Sequence, residues 1–346
     1  MFDPSTGNWT NANYTNIARF AHTSSLLPDG RVIITGGYSV YGAILSDAEL
    51  YDPITNVWIP TDNMHDARGD HTATTLLNGK VLVTGGNALL KGPINRCELY
   101  NSSTGKWSRT GSMYDRRAYH TITTLLSGKV LVTGGQDSLN KAELYDPLAG
   151  NWTRVADMNV GRVYHTATLL MNGHVLVTGG TYTFNNGIQH AELYNPSTDT
   201  WTITNDMHVE RVGHRASLLL NGQVLVMGGD LTSGTLNLSA ELYNPSTETW
   251  TITDSMHVNR EAHTASLLPN GKVLVAGGMD DNQIYFNSAE SYDPTTRYWT
   301  NVGNMFVAVQ SRTTSMLKNG TILPVNEKIS VSTKENFTTT KDEQLQ

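Results

Sequence analysis

The chain has 346 residues, of which 16% are charged, and 31 acidic against 24 basic side chains give a formal charge of −7. The basic residues are scattered singly, so no electropositive stripe exists to neutralise phosphates, which excludes nucleic acid and disfavours an anionic membrane. No apolar run approaches the roughly 18 residues of a membrane span, no secretion signal is visible at the N-terminus, and the lone Cys97 excludes an internal disulfide or a Cys-rich zinc site.

Abundant Gly, Thr, Asn and Tyr favour strands joined by tight turns. The opening MFDPSTGNWT, residues 1–10, reads as a turn and a Trp-bearing strand, the end of a unit without its start. A complete unit follows. Arg19 and His22 introduce a first strand (A), Gly30 turns the chain, and VIITGG at 32–37 is a second strand (B) ending in a Gly pair. The loop YSVYGAILSD leads to AELYDPITNVW at 48–58, a third strand (C), a Pro turn and a fourth strand (D) with Trp58. The pattern restarts at Arg68, Arg117, Arg162, Arg211 and Arg260, each three residues before a His. Tryptophans at 9, 58, 107, 152, 201, 250 and 299 step by 49 residues, except for 45 between Trp107 and Trp152. Periodicity of this kind marks a repeat architecture. Only the interval from the second Gly to the Glu changes, 12 residues in five units and 8 in the third, so the B–C loop is where length is free.

After Trp299, SRTTSMLKNGTILPV at 311–325 gives strands A and B of a seventh unit, with Val309, Arg312, Asn326 and Glu327 in the Arg, His and Gly-pair slots. MFDPSTGNWT carries the missing strand D. The expected architecture is all-β: a seven-bladed propeller of four-stranded blades over residues 1–325, followed by a polar tail at 326–346. Its ring closes by the N-terminal strand D against the C-terminal strands A and B, with strand C nearly absent from that blade. The opening in mid-blade leaves room for a natural N-terminal extension.

The Gly pair, the following Glu-x-Tyr, the Trp beyond it and the Arg-x-x-His before strand A resemble the kelch repeat of β-propellers, over about residues 1–325. The wording HTATLLMNGHVLVTGG at 165–180 is most similar to galactose-oxidase-like and related secreted propellers, which favours an extracellular setting. The oxidase resemblance implies a copper site of two Tyr, two His and a Cys joined to one Tyr. Cys97 instead occupies a core slot beside Glu98, and no Tyr or His stands out from the repeat. No enzyme, metal or cofactor is therefore expected.

Six Arg recur with six Glu (49, 98, 143, 192, 241 and 290), as a buried ion pair in each unit would require. The six landmark His, from His22 to His263, suit hydrogen bonds at the start of strand A, while His65, His208 and His257 are expected at the surface. The Gly pairs read as strand ends that need no side chain. The B–C loops and the D–A loops, such as TGSMYDRRAY, emerge at one end of the blades, and binding usually resides on variable loops held by a rigid scaffold. Tyr38, Tyr41, Leu89, Leu90, Tyr182, Phe184, Tyr285 and Phe286 are the candidate anchors there. The expected function is a non-enzymatic, monomeric scaffold that binds a protein partner through this face, with glycan binding as the alternative.

Overall fold

The computed structural model describes residues 1–325 except 90, 184–185, 231–236, 281, 283 and 309–312. The candidates Leu90 and Phe184, the slots of Val309, Arg312, Asn326 and Glu327, and the tail at 326–346 lie outside the described residues. Seven four-stranded antiparallel sheets form seven blades. Blade 4 shows the pattern: strand A (Thr166–Leu169), B (Val175–Thr178), C (Ala191–Asn195) and D (Thr200–Thr204) pair in sequence order. Strands A of neighbouring blades touch around the axis, while every residue of strands B in blades 1 to 6 is buried.

The apolar residues of strands B and C do not build one central core. They form seven clusters, each sandwiched between two successive blades, as in Ile33, Leu50, Val81, Val83, Tyr100 and Trp107 between blades 1 and 2. Each unit buries its faces only against its neighbours, which explains why strand B shows no polar alternation. The periodic Trp joins blades. In blade 4 its ring packs on Tyr194 at 4.9 Å, and Trp201 Nε1 donates to the Ala156 carbonyl, just beyond strand D of blade 3, at 2.8 Å.

The Gly pairs are more than strand ends. Gly85 and Gly86 have φ of +60° and +94°, and Gly86 N–H donates to the Arg117 carbonyl of the next blade at 2.8 Å. A Cβ on Gly85 would stand 2.5 Å from that oxygen, so both conformation and space demand glycine.

Blade 7 runs A (Thr314–Met316), B (Ile322–Pro324), C (Phe2–Asp3) and D (Asn8–Trp9). Strand C is only two residues long here, against five or six in blades 1 to 6: Phe2 pairs with Ile322 on one side and with Trp9 on the other. Trp9 Nε1 donates to Val302 of blade 6 at 2.9 Å, so the blade made from both termini is fastened like the others.

Candidate functional site

Each landmark Arg is wholly buried in a D–A loop, and its guanidinium meets the strand C Glu of the same blade at 2.8–3.0 Å. Arg162 Nη1 also donates to the carbonyls of Gly179 and His190, both at 2.8 Å, while Glu192 accepts the N–H groups of Asn159 and Val160 at 2.7 and 3.0 Å. The D–A loop, strand C and the B–C loop are thereby clamped together. His65, His208 and His257 belong to the same clamp: their Nδ1 atoms lie 2.6–2.7 Å from Glu98, Glu241 and Glu290, although the rings stay partly exposed. Burial alone would raise the Glu98 carboxyl, but hydrogen bonds from His65 and the charge of Arg68 hold it below the ordinary range. Arg162→Ala, which strands a buried carboxylate, is expected to cost about 3–5 kcal/mol. Thermal melting checks this, and an unchanged midpoint would remove the Arg series from the scaffold.

The clamped loops present a mouth around the axis. The residue before each landmark His is left-handed: Ala21, Asp70, Tyr119, Tyr164 and Ala262 have φ between 51° and 57°, and Gly213 has 65°. Their backbones link blade to blade, with N–H donated from Asp70 to Ala21, Tyr119 to Asp70, Tyr164 to Tyr119 and Gly213 to Tyr164 at 3.0–3.4 Å. Tyr119 and Tyr164 pack at 4.6 Å. Tyr38 stacks on Phe20 at 5.3 Å and donates its hydroxyl to Asp70 Oδ2 at 2.7 Å, and Asn87 Nδ2 contacts both that oxygen and the Tyr119 hydroxyl at 3.3 Å. Burial, then the Asp70 charge, push the Tyr38 and Tyr119 hydroxyls far above their usual range, so both remain protonated donors.

The short B–C loop of blade 3 leaves a gap in this face. Ser138 is buried and donates to the Arg116 carbonyl at 3.0 Å, which folds the loop down. Between it and the longer loop of blade 4 lies a cavity of about 480 Å³, lined by Tyr119, Gln136, Asp137, Asn140, Tyr164 and Tyr182 among others.

Of the candidate anchors, Tyr182 lines this cavity, and Tyr38 joins it through the Asp70–Asn87–Tyr119 network. Tyr41 is 95% exposed and Leu89 65%, each on its own blade. Tyr285 and Phe286 are half-buried on blade 6, where the Phe286 ring covers the Arg260 guanidinium at 5.5 Å. Tyr119 and Tyr164 were missed by sequence reasoning. Their signal was the slot before the His, which holds Ala, Asp, Tyr, Tyr, Gly and Ala inside a motif that otherwise repeats strictly.

The residues do not fit the copper site implied by the oxidase resemblance. Cys97 is buried in a cluster between blades 2 and 3, its thiol pushed up to about 12 by burial and directed at the Asn95 carbonyl. Five of the six landmark imidazoles meet threonine hydroxyls of the preceding blade, as His165 Nε2 does with Thr121 and Thr133 at 3.0 Å. Among the described residues no group of three or more His, Cys, Asp or Glu could hold a metal ion.

Seven four-stranded blades with repeated Gly pairs, Arg–Glu clamps and inter-blade Trp contacts make a kelch-type β-propeller, a class consistent with a binding scaffold. The chain belongs to the Attractin/LZTR1 beta-propeller family, whose model matches residues 2–229, and a kelch motif matches residues 262–306. No curated protein matches the sequence. A solved fungal alcohol oxidase of the AA5 family, in complex with copper, aligns with a TM-score of 0.74 at 19% identity, covering 91% of this chain and 71% of its own. YjhT aligns with a TM-score of 0.66 at 13% identity, covering 84% of this chain and 99% of its own. At these identities the likeness shows the fold. The oxidase nonetheless corrects the expectation that the chain is not an enzyme. That oxidase is a catalyst built on a propeller of the same fold, and variable loops, where catalytic groups can be carried, are the part a repeat pattern leaves undetermined. Among the described residues no helix is long and apolar enough to cross a membrane.

Proposed function

We propose that the chain is a recognition scaffold that docks a protein partner on its B–C and D–A loop face. The observation that carries this reading is the combination of exposed Tyr41, Leu89 and Tyr182 with loop bases immobilised by buried Arg–Glu pairs, since anchors on a rigid frame lose little entropy on binding. The opposite face supplies a control, because its A–B turns expose Leu77 by 83% and Leu126 by 71%.

Partner affinity is expected to fall about tenfold or more when Tyr41, Leu89 and Tyr182 are changed together to Ala, and to be unaffected by Leu77→Ala with Leu126→Ala. Calorimetric titration of the captured partner, with melting curves to establish that each variant is folded, reads both. The reverse pattern would place docking on the turn face and end this reading. A glycan reading draws support from Asn87, Gln136 and Asn140 beside the tyrosines, as planar polar groups next to aromatic faces also suit sugars. A glycan array separates the two.

A further inference from the structure

The cavity between blades 3 and 4 has a more specific chemistry than the rest of the loop face. Tyr119 and Tyr164 contribute a packed ring pair, Tyr182 a half-exposed ring from the next loop, and the rim across from it is the short loop carrying Asp137. Two charged side chains line it. Lys141 is neutralised by Asp157 at 2.6 Å, whereas Asp137 is exposed and makes no ion pair among the described residues. A second carboxylate, Asp70, is linked to the Tyr119 hydroxyl through Asn87 Nδ2, 3.3 Å from each. In units 1 to 6 the slots before each landmark His and after each Gly pair, at the mouth, hold Asp70 and Asp230 and no basic residue. Aromatic faces and carboxylates favour the same ligand, a cation.

Guanidinium suits this arrangement better than ammonium. It is planar and weakly hydrated, stacks on tyrosine rings, and pairs with a carboxylate through two parallel hydrogen bonds. We propose that the cavity is the anchor site for an arginine side chain presented by the partner protein, seated among Tyr119, Tyr164 and Tyr182 and paired with Asp137. This rests on the loop-face reading for its biological occupant, but the site itself can be tested without the partner.

The probe is the peptide acetyl-Gly-Ser-Arg-Ser-Gly-amide, titrated into the full chain and followed by NMR chemical shifts, beside versions with Lys or the neutral isostere citrulline. The arginine peptide is expected to bind saturably in the millimolar range, as a single anchor would, and more tightly than the lysine peptide. The citrulline peptide should bind about tenfold more weakly, and Asp137→Asn and Tyr182→Ala should each weaken the arginine peptide by about tenfold. Asp137 has φ of +68°, which asparagine adopts readily, so that variant keeps the loop conformation. Equal binding of arginine and citrulline peptides, indifference to Asp137→Asn, or no saturable arginine binding overturns the proposal. So does displacement of the arginine peptide by methyl glycosides, which would make the cavity a sugar site. If arginine binding depends on Asp137 while partner affinity ignores every loop-face substitution, the cavity stands and the loop-face reading falls. If the partner needs the loop face but the probe does not bind, the loss falls on the cavity alone.

Discussion

A chain lacking Met1 to Thr10 is expected to melt about 10–20 °C lower and to self-associate. The deletion removes strands C and D of blade 7. Phe2, 3% exposed, leaves the cluster it forms with Leu268, Leu274, Ala276, Met305 and Ile322, and the Trp9 bond to Val302 is lost. Losing one buried aromatic costs about 3–5 kcal/mol by itself, and the strand pairings add to that. Ile322–Pro324, now without its partner on the Phe2 side, becomes a bare edge that invites pairing between chains. Differential scanning calorimetry with sedimentation velocity reads both effects. A truncated chain that stays monomeric with an unchanged melting temperature would show that the ring is held without its N-terminal strands.

The sequence made the blades legible because every landmark in them is fixed by contacts that recur with the repeat. Gly85 cannot carry a Cβ, Trp201 must reach Ala156, and Arg162 must meet Glu192, so spacing alone reveals them. Blade 7 was harder, since Phe2–Asp3 is only two residues long and is recognised as a strand through Ile322, far away in the chain. The loop face was legible as a place and not as a site. A short loop in unit 3 is visible in the sequence, but that its shortness opens a cavity beside Tyr182 depends on packing between blades. Tyr119 and Tyr164 look like ordinary strand-entry residues until their left-handed backbones direct them together. Catalysis was excluded on a site expected to interrupt the repeat, although loops can carry chemistry and leave the repeat intact.

The landmark histidines predict an acid limit that begins well above the carboxylate range. All six are buried. Burial, then the charge of the neighbouring Arg, depresses His22 and His165 to about 3, and the same loss of hydration holds His71, His120, His214 and His263 well below their ordinary value. His71, His120, His165 and His214 are each received by a threonine pair and His22 by Thr313, whereas Arg215 and Met227 occupy those positions before His263, and its Nδ1 instead meets the Arg260 carbonyl at 3.1 Å. A His depressed in the folded state is neutral there while the unfolded chain takes up a proton near pH 6.5. Its contribution is therefore complete above pH 6.5 and is lost as the pH falls toward 3, at about 1.4 kcal/mol per pH unit for each group. By pH 5, His22 and His165 alone would remove about 4 kcal/mol. Glu98 and Glu241 are also held below their ordinary range, so they too lose their contribution on acidification, but only as the pH falls through about 4.5 and lower. The melting temperature should accordingly be level above pH 7 and fall steeply from pH 6.5 to 5. His165→Gln should be less stable than the native chain at pH 7.5 and show a slope shallower by about 1.4 kcal/mol per unit over that interval. A profile that stays flat down to pH 4.5 would mean that the folded ring accepts protons at these imidazoles, which is incompatible with their burial between the blades.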